Sequence, residues 1–498
     1  MKEKMNHAAA VRGAMTRAVT NTSLFVFAAF LFSGVLGMSP LRWHQVAVEQ
    51  FFSFILVPWG MTLAFAQLVR RQNAPATKDA TILFVLLVWM AVPFIYRFGL
   101  TANNINGACG YAMVFFGVYV SLRDEEPARR EKLLDCACAV FGLFSLIFGG
   151  ALLYCAATVQ MFAADMGEFG FGIYNGMYLC GGLHYNNTGM TSVCCAMFCL
   201  CGVERARQLW QRLLYLLGAV MMMIVIVLTQ SRTARYVLLL ALAAGAFSRV
   251  YAAGLLRRRV LRAGAAVLAA GAVLVTGYIG AAKLCDAALV HYVRVEEKRA
   301  AQPDMEQQEG LLPALNELIV RTAAAEQLQE NQADAGTGET ALEEPTLKAR
   351  PAADATLSGR TEIWANIFRI WKENPKNLLI GNGIGRTGSI VVLGTSQESL
   401  GAIALHNTYL QFIADFGLIG FALMMAFFLL ILGRCVRSFL QGGAELSGML
   451  PMAMLVLAVL ATGMMESAPL GEMTPMNVVL FFALGVLVPA GERRPHDL

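Results

Sequence analysis

Three stretches hold residues whose types could do chemistry. LHNTYLQFIADFGLIGFALMM opens a long apolar run on His406 and Asn407, TQSRTARYVLLL sets Arg232 and Arg235 between two apolar runs, and SGRTEIWANIFRIWKENPKNLLIGNGIG begins a helical pattern at Arg360. An imidazole, with an ordinary pKa of about 6.5, takes or gives a proton near neutral pH. A guanidinium stays charged, and its planar fork matches two phosphate oxygens at once. The two chemistries on offer are therefore proton handling and anion binding. Each residue also has a plainer account: a helix cap for His406, a snorkelled charge for Arg232 and Arg235, and a solvated helix-start residue for Arg360.

The elements that must position them follow from composition. The chain has 498 residues, 57% hydrophobic and 15% charged, with a mean hydropathy of +0.57. That is too apolar for a protein coated in water, and the fold class is an all-α polytopic membrane protein. A helix needs roughly 20 apolar residues to cross about 30 Å of hydrocarbon. Twelve stretches qualify, at 22–38, 46–69, 79–96, 105–121, 133–160, 188–202, 209–230, 233–250, 260–282, 405–432, 446–465 and 473–490.

Lysine and arginine set the orientation, because short cytoplasmic loops are enriched in both. Starting from the amino terminus, every second connection is basic; twenty-three Lys and Arg fall on that side against four on the other. Both termini are expected in the cytoplasm, and the long segment 283–404 outside it. The first span has a basic leader but no small-x-small cleavage site before Pro40, so it reads as uncleaved. The net charge of +5 is then mostly topology, and no basic stripe interleaved with aromatics marks a nucleic-acid partner. Cys136, Cys138, Cys194, Cys195, Cys199 and Cys201 lack paired C-x-x-C spacing and read as packing residues, with no metal or cofactor expected. Cys180 and Cys285, both predicted external, are left open as a pair.

Within the long loop, 296–356 is acidic and poor in large apolar groups, and reads as mobile or only locally helical. Over 361–373, Ile363, Trp364, Ile367, Ile370 and Trp371 form one helical stripe that Pro375 ends. The stripe predicts a helix on the membrane surface or packed on outer loops, two compatible readings. A formal G-x-G-x-x-G at Gly383, Gly385 and Gly388 lacks the strand and helix of a dinucleotide site, so a close-approach glycine turn is the plainer account. Arg232, Arg360 and His406 come from three regions, yet the topology puts all three near the water line on one side. Asp415 falls on the opposite face of its helix from His406 and reads as structural; His184 is a weaker acceptor-side candidate.

SRTA at a helix junction, the long loop, GRTEIW with NPKNLLIGNGIG, and LHNTYLQFIADFGLIG leading a span together resemble the superfamily of O-antigen ligases and lipid-linked-oligosaccharide polymerases. GLHYNNTGMTS resembles the family's stretch before an earlier span. The resemblance implies a membrane-embedded, GT-C-like glycosyltransferase of cell-surface polysaccharide biosynthesis. It would move a glycan from undecaprenyl pyrophosphate to an acceptor hydroxyl on a glycan, lipid, wall polymer or protein. It assigns the pyrophosphate to Arg232 and Arg360 and the acceptor to His406, with Asn407 and Tyr409 as lesser matches; Arg235 and His184 stand beside them as possible contacts. No D-x-D pair lies in a tight external loop, so preorganised cations take the place a metal would fill. A twelve-span transporter or flippase of a lipid-linked saccharide and a non-catalytic assembly protein are the alternatives; the first predicts half-to-half symmetry, of which the sequence has little.

Overall fold

The computed structural model describes residues 24–25, 28–29, 55–70, 77–96, 102–162, 171–174, 177–181, 185–252, 259–301, 360–383, 405–440, 449–466 and 475–488. Apolar runs become helices because only a helix satisfies its own N–H and C=O groups in hydrocarbon. In chain order they are α1 (Val57–Arg70), α2 (Lys78–Tyr96) and α3 (Ala102–Ala112), which continues through a π-helix (Met113–Val120) into α4 (Ser121–Arg123), and then α5 (Pro127–Thr158). Strands β1 (Met161–Phe162), β2 (Phe171–Tyr174) and β3 (Tyr178–Gly181) follow, then α6 (Tyr185–Arg205), α7 (Leu209–Leu228), α8 (Arg232–Ala252) and α9 (Arg259–Ala301). Last come α10 (Arg360–Glu373), α11 (Pro375–Ile380), α12 (Thr408–Leu440), α13 (Leu450–Thr462) and α14 (Pro475–Leu487).

Six of these, α2, α5, α7, α8, α9 and α12, are long and apolar enough to cross a membrane. The π-helical segment, α13, α14 and part of α1 are apolar but shorter. Helices occupy eleven of the twelve predicted stretches; of 22–38, only Leu24, Phe25, Ala28 and Ala29 belong to the described residues. The fold is that of a mostly helical membrane protein, with one departure from the all-α expectation. β1, β2 and β3 form an antiparallel sheet in which Phe171 faces Gly181 and Tyr174 faces Tyr178. Strands of two to four residues are too short to show alternation in a sequence.

Two helices depart from their predicted bounds. α9 runs for 43 residues, so residues 283–301 prolong the ninth span, since neither Gly nor Pro interrupts the chain between Gly280 and Pro303. Most of the 296–356 insert lies outside the described residues. α12 is broken at Gly417, with φ 72° and ψ 176°, a conformation essentially confined to glycine. Gly381, at φ 89°, lies against the break: a Cβ there would stand 2.4 Å from the Asp415 carbonyl oxygen, and one on Gly417 would stand 2.1 Å from that of Leu379. The carbonyls freed by the break find donors. The N–H groups of Asn382 and Gly383 reach Ala414 and Asp415 at 2.8 and 2.9 Å, and the Trp89 indole reaches Phe416 at 2.8 Å. The glycine turn thus brings backbone against backbone, as its lack of a βαβ setting implies; Gly385 and Gly388 lie outside the described residues.

One apolar core joins α1 to α8 and α12 to α14, with Phe141 of α5 stacked on Phe198 of α6 at 4.3 Å. All eleven cysteines are free thiols, Cys180 and Cys285 included. At one end of the bundle the basic residues are paired. Asp79, fully buried, meets Arg123 and accepts from the Tyr119 hydroxyl at 2.7 Å, with Arg434 at 3.6 Å. Arg130 donates to the Val488 carbonyl at 3.1 Å, Arg205 meets Asp135 at 2.5 Å, and Arg249 meets Glu204. Arginines from short loops predicted on one side therefore gather at one end.

Candidate active site

At the opposite end, the turn between α7 and α8 is built from TQSRTA. Gln230 takes a left-handed φ of 54°, and its side-chain amide donates to the Met177 carbonyl at 2.7 Å, tying the turn to the β2–β3 hairpin. The Ser231 hydroxyl caps α8 by accepting from the N–H of Ala234 at 3.2 Å. This leaves Arg232 as the exposed first residue of α8. Arg235 follows one turn later, half-buried, with a long 3.5 Å contact from its guanidinium to the Gln230 carbonyl. Both arginines line a cavity of about 290 Å³ between α8 and α9, together with Tyr236, Leu239, Tyr278, Ala281 and Ala282. Arg232 and Arg235, for both of which snorkelling is the plainer account, thus stand side by side at the cavity wall.

The turn before α12 is held from several sides. His406 takes a left-handed φ of 47°, a conformation a non-glycine residue keeps only when its surroundings over-determine it. On one side the Trp364 indole donates to the Leu405 carbonyl at 2.8 Å, and the Leu405 N–H reaches the Gln411 side chain at 3.2 Å. On the other, the Thr408 N–H meets the Gly463 carbonyl at 2.7 Å and its hydroxyl donates to the Glu466 carbonyl at 2.9 Å. Asn407 caps α12, accepting from the N–H groups of Tyr409 and Leu410 at 3.0 Å each.

The His406 side chain itself stays 41% exposed, with Nδ1 3.5 Å from Oε2 of Glu466, which is 11% exposed. The other oxygen of Glu466 accepts from the Asn186 amide at 3.0 Å. A nearly buried carboxylate thus faces one ring nitrogen. With the proton on Nδ1, Nε2 is left as the acceptor.

α6 links the two turns. Asn186 in its first turn holds Glu466, and three residues on, Gly189 packs against the other turn: a Cβ there would lie 2.7 Å from that of Ala234 and 3.2 Å from that of Ser231. Residues three apart on a helix lie about 5 Å from each other. The arginine turn and the histidine turn are therefore both fastened to one turn of α6.

Arg360 is the first residue of α10, and its backbone alone is described there. One turn into α10, Trp364 makes the bond to Leu405, beside His406. The apolar stripe of α10 is filled by protein: Ile367 and Trp371 pack with Leu405 and Ala414. Of the lesser candidates, Asn407 is engaged in capping and donates to the Met464 carbonyl at 3.1 Å, and the Tyr409 hydroxyl donates to the Leu460 carbonyl at 2.7 Å. His184 lies outside the described residues. Asp415 is fully buried and takes the Gln411 amide at 3.1 Å, as expected of a structural residue. Burial pushes the Cys180 thiol up to about 12, so it supplies no thiolate at neutral pH.

Sequence reading passed over Glu466 and Asn186. An ionisable residue ending an apolar helix, as in ATGMMESAPL, was the available signal for the first; an asparagine in NNTG carries none.

A search of curated proteins with the whole chain gives no match. A family profile described as O-antigen ligase matches residues 217–425, a segment that holds Arg232, Arg235, Arg360, His406, Asn407 and Tyr409 and leaves out Asn186 and Glu466. Over that segment, which runs from α7 into α12, this membrane protein is similar to the O-antigen ligase-related family.

Proposed function

We propose that the protein transfers a glycan from undecaprenyl pyrophosphate to an acceptor hydroxyl at the outer face of the cytoplasmic membrane, with both termini in the cytoplasm. The observation that carries this reading is the attachment of an arginine-lined cavity and a carboxylate-backed histidine to one turn of α6. His406 Nε2 takes the proton of the acceptor hydroxyl, whose oxygen attacks the anomeric carbon. The bond from that carbon to the phosphate oxygen breaks, and its electron pair leaves with the pyrophosphate. Charge grows on the leaving group as this happens. Arg232 and Arg235 at the cavity, together with Arg360, stabilise it as cations, so the step runs without a metal. Glu466 steadies the imidazolium and its ring orientation, as a positioning residue.

The distribution of lysine and arginine supports the orientation, and the family match supports a lipid-linked glycan as donor. The test uses reconstituted vesicles supplied with a defined undecaprenyl-linked oligosaccharide, with mass analysis of the products with and without candidate acceptors. The wild type yields either a polymer of the donor glycan or a ligated acceptor. His406→Ala, expressed and inserted normally, yields neither, a loss on the order of 1000-fold or more. Normal transfer by that variant would remove the site.

A further inference from the structure

Two tyrosines have no part in the transfer as described, yet both turns of the site fix where they stand. Tyr185 is the first residue of α6, and its ring stacks on that of Tyr178 in β3, with centroids 4.6 Å apart and planes inclined by 17°. Both side chains are half-buried, so the pair keeps part of its ring surface open. Three hydrogen bonds hold it in place. The Gly181 N–H donates to the Thr188 hydroxyl at 3.0 Å, which fastens β3 to α6. The Met177 carbonyl, one residue before Tyr178, takes the Gln230 amide at 2.7 Å, and Asn186, one residue after Tyr185, donates to Glu466 at 3.0 Å. Helical phase then relates the pair to the chemistry. Successive residues of a helix are about 100° apart, so Gly189 falls about 40° from Tyr185 and about 60° from Asn186, on the same face of α6. Gly189 meets the arginine turn, where its Cβ would lie 2.7 Å from that of Ala234. Tyr185 stands one turn, about 5.4 Å, nearer the end of the bundle, above the arginines, and beside it Asn186 reaches the carboxylate that faces His406.

We infer that the Tyr178–Tyr185 stack is a platform for a pyranose ring of the donor glycan, set between the arginine turn and the histidine turn. The inference rests on the proposed transfer for the presence of a glycan in the site. A pyranose carries C–H bonds on its faces and hydroxyls around its rim. Those C–H bonds, slightly positive, meet the negative face of a tyrosine ring, and covering the two apolar surfaces adds to the attraction. The hydroxyl rim stays free for water or polar side chains. Because the hydrogen bonds hold both rings before a sugar arrives, little side-chain freedom is lost on binding. A bare diphosphate or a prenyl chain offers no such ring.

The experiment compares two ligands that differ in the glycan, titrated onto the full chain in lipid nanodiscs. One is undecaprenyl diphosphate alone. The other is a C-glycosidic analogue of the undecaprenyl-linked oligosaccharide, in which CH2 replaces the oxygen at the anomeric carbon, so binding is read without turnover. The wild type is expected to prefer the glycan-bearing ligand. Tyr185→Leu, which keeps an apolar side chain but removes the ring, lowers that preference by about three- to tenfold and leaves affinity for the bare diphosphate unchanged. Tyr178→Leu does the same by removing the other ring, and Tyr185→Phe, which keeps an aromatic face, restores the wild-type preference. Tyrosines that only hold the hairpin or anchor the helix end at the membrane boundary would weaken both ligands alike or neither, and either result overturns the platform. If both leucine variants keep the wild-type preference while His406→Ala abolishes transfer, the platform is wrong and the transfer stands. If the wild type binds neither ligand, the donor assignment falls and takes the platform with it.

Discussion

At one end of the helix bundle arginines are paired with carboxylates; at the other, two arginines line a cavity and a histidine on a strained turn faces a carboxylate. Asp79 is enclosed by Arg123, Tyr119 and Arg434, and Arg205 and Arg249 each find a carboxylate. At the opposite end, Arg232 and Arg235 line a cavity and His406 keeps an exposed ring. Val159, Gln230 and His406, the non-glycine residues with positive φ among those described, all lie at that end, closing α5, linking α7 to α8 and opening α12. Backbone strain costs stability, and a fold keeps it where it serves binding or chemistry. The paired end is scaffold, and the strained end is where the candidate site sits.

The widest separation between the ends comes from a charge removed at the scaffold. Arg123→Ala leaves the buried Asp79 charge with the Tyr119 hydroxyl and Arg434 at 3.6 Å in place of its close guanidinium partner, and stability should fall by about 3–5 kcal/mol. Denaturation in detergent reads the loss, while turnover per folded molecule stays at the wild-type level; a drop in kcat at unchanged stability would erase the distinction. Gly417→Ala follows, because its φ of 72° and the 2.1 Å approach of the Leu379 carbonyl leave no room for a methyl group. About 3 kcal/mol of stability is expected to go. Since the break holds the segment carrying His406, transfer should fall with it.

Glu466→Gln sharpens the comparison from the other side. It keeps the shape and the Asn186 contact but removes the charge behind His406, so kcat should fall by about 10–100-fold, KM for the donor should hold, and stability should move by less than about 1 kcal/mol. A purely structural Glu466 would instead lower stability and leave kcat alone. The smallest effect belongs to Arg205→Ala: its partner Asp135 is 57% exposed, and pairs so wetted contribute under about 1 kcal/mol.

Much of this was legible in the residues. The apolar runs, the basic loops and the helix at 361–373 need only period, charge and residue type, whereas Arg232, Arg360 and His406 rise above their plainer accounts through the family resemblance. The cavity that Arg235 lines was not legible, because a snorkelled arginine and a cavity-lining one have the same neighbours in sequence; the approach of α9 forms it. Glu466 was missed because its role comes from a partner 60 positions away. The sheet was missed because its strands are shorter than the alternation that would announce them.

By itself the sequence determined that the chain lies in a membrane, which stretches become helices, and which side chains could handle a phosphate or a proton. Those are consequences of local composition and helical period, which act along the chain. The tertiary structure decided which of those side chains share a neighbourhood: α6 fastening two distant turns, α9 roofing the arginines, and Glu466 backing His406. Such meetings depend on how helices pack across hundreds of residues, and close packing is a property of shapes in contact, which a one-dimensional pattern does not carry.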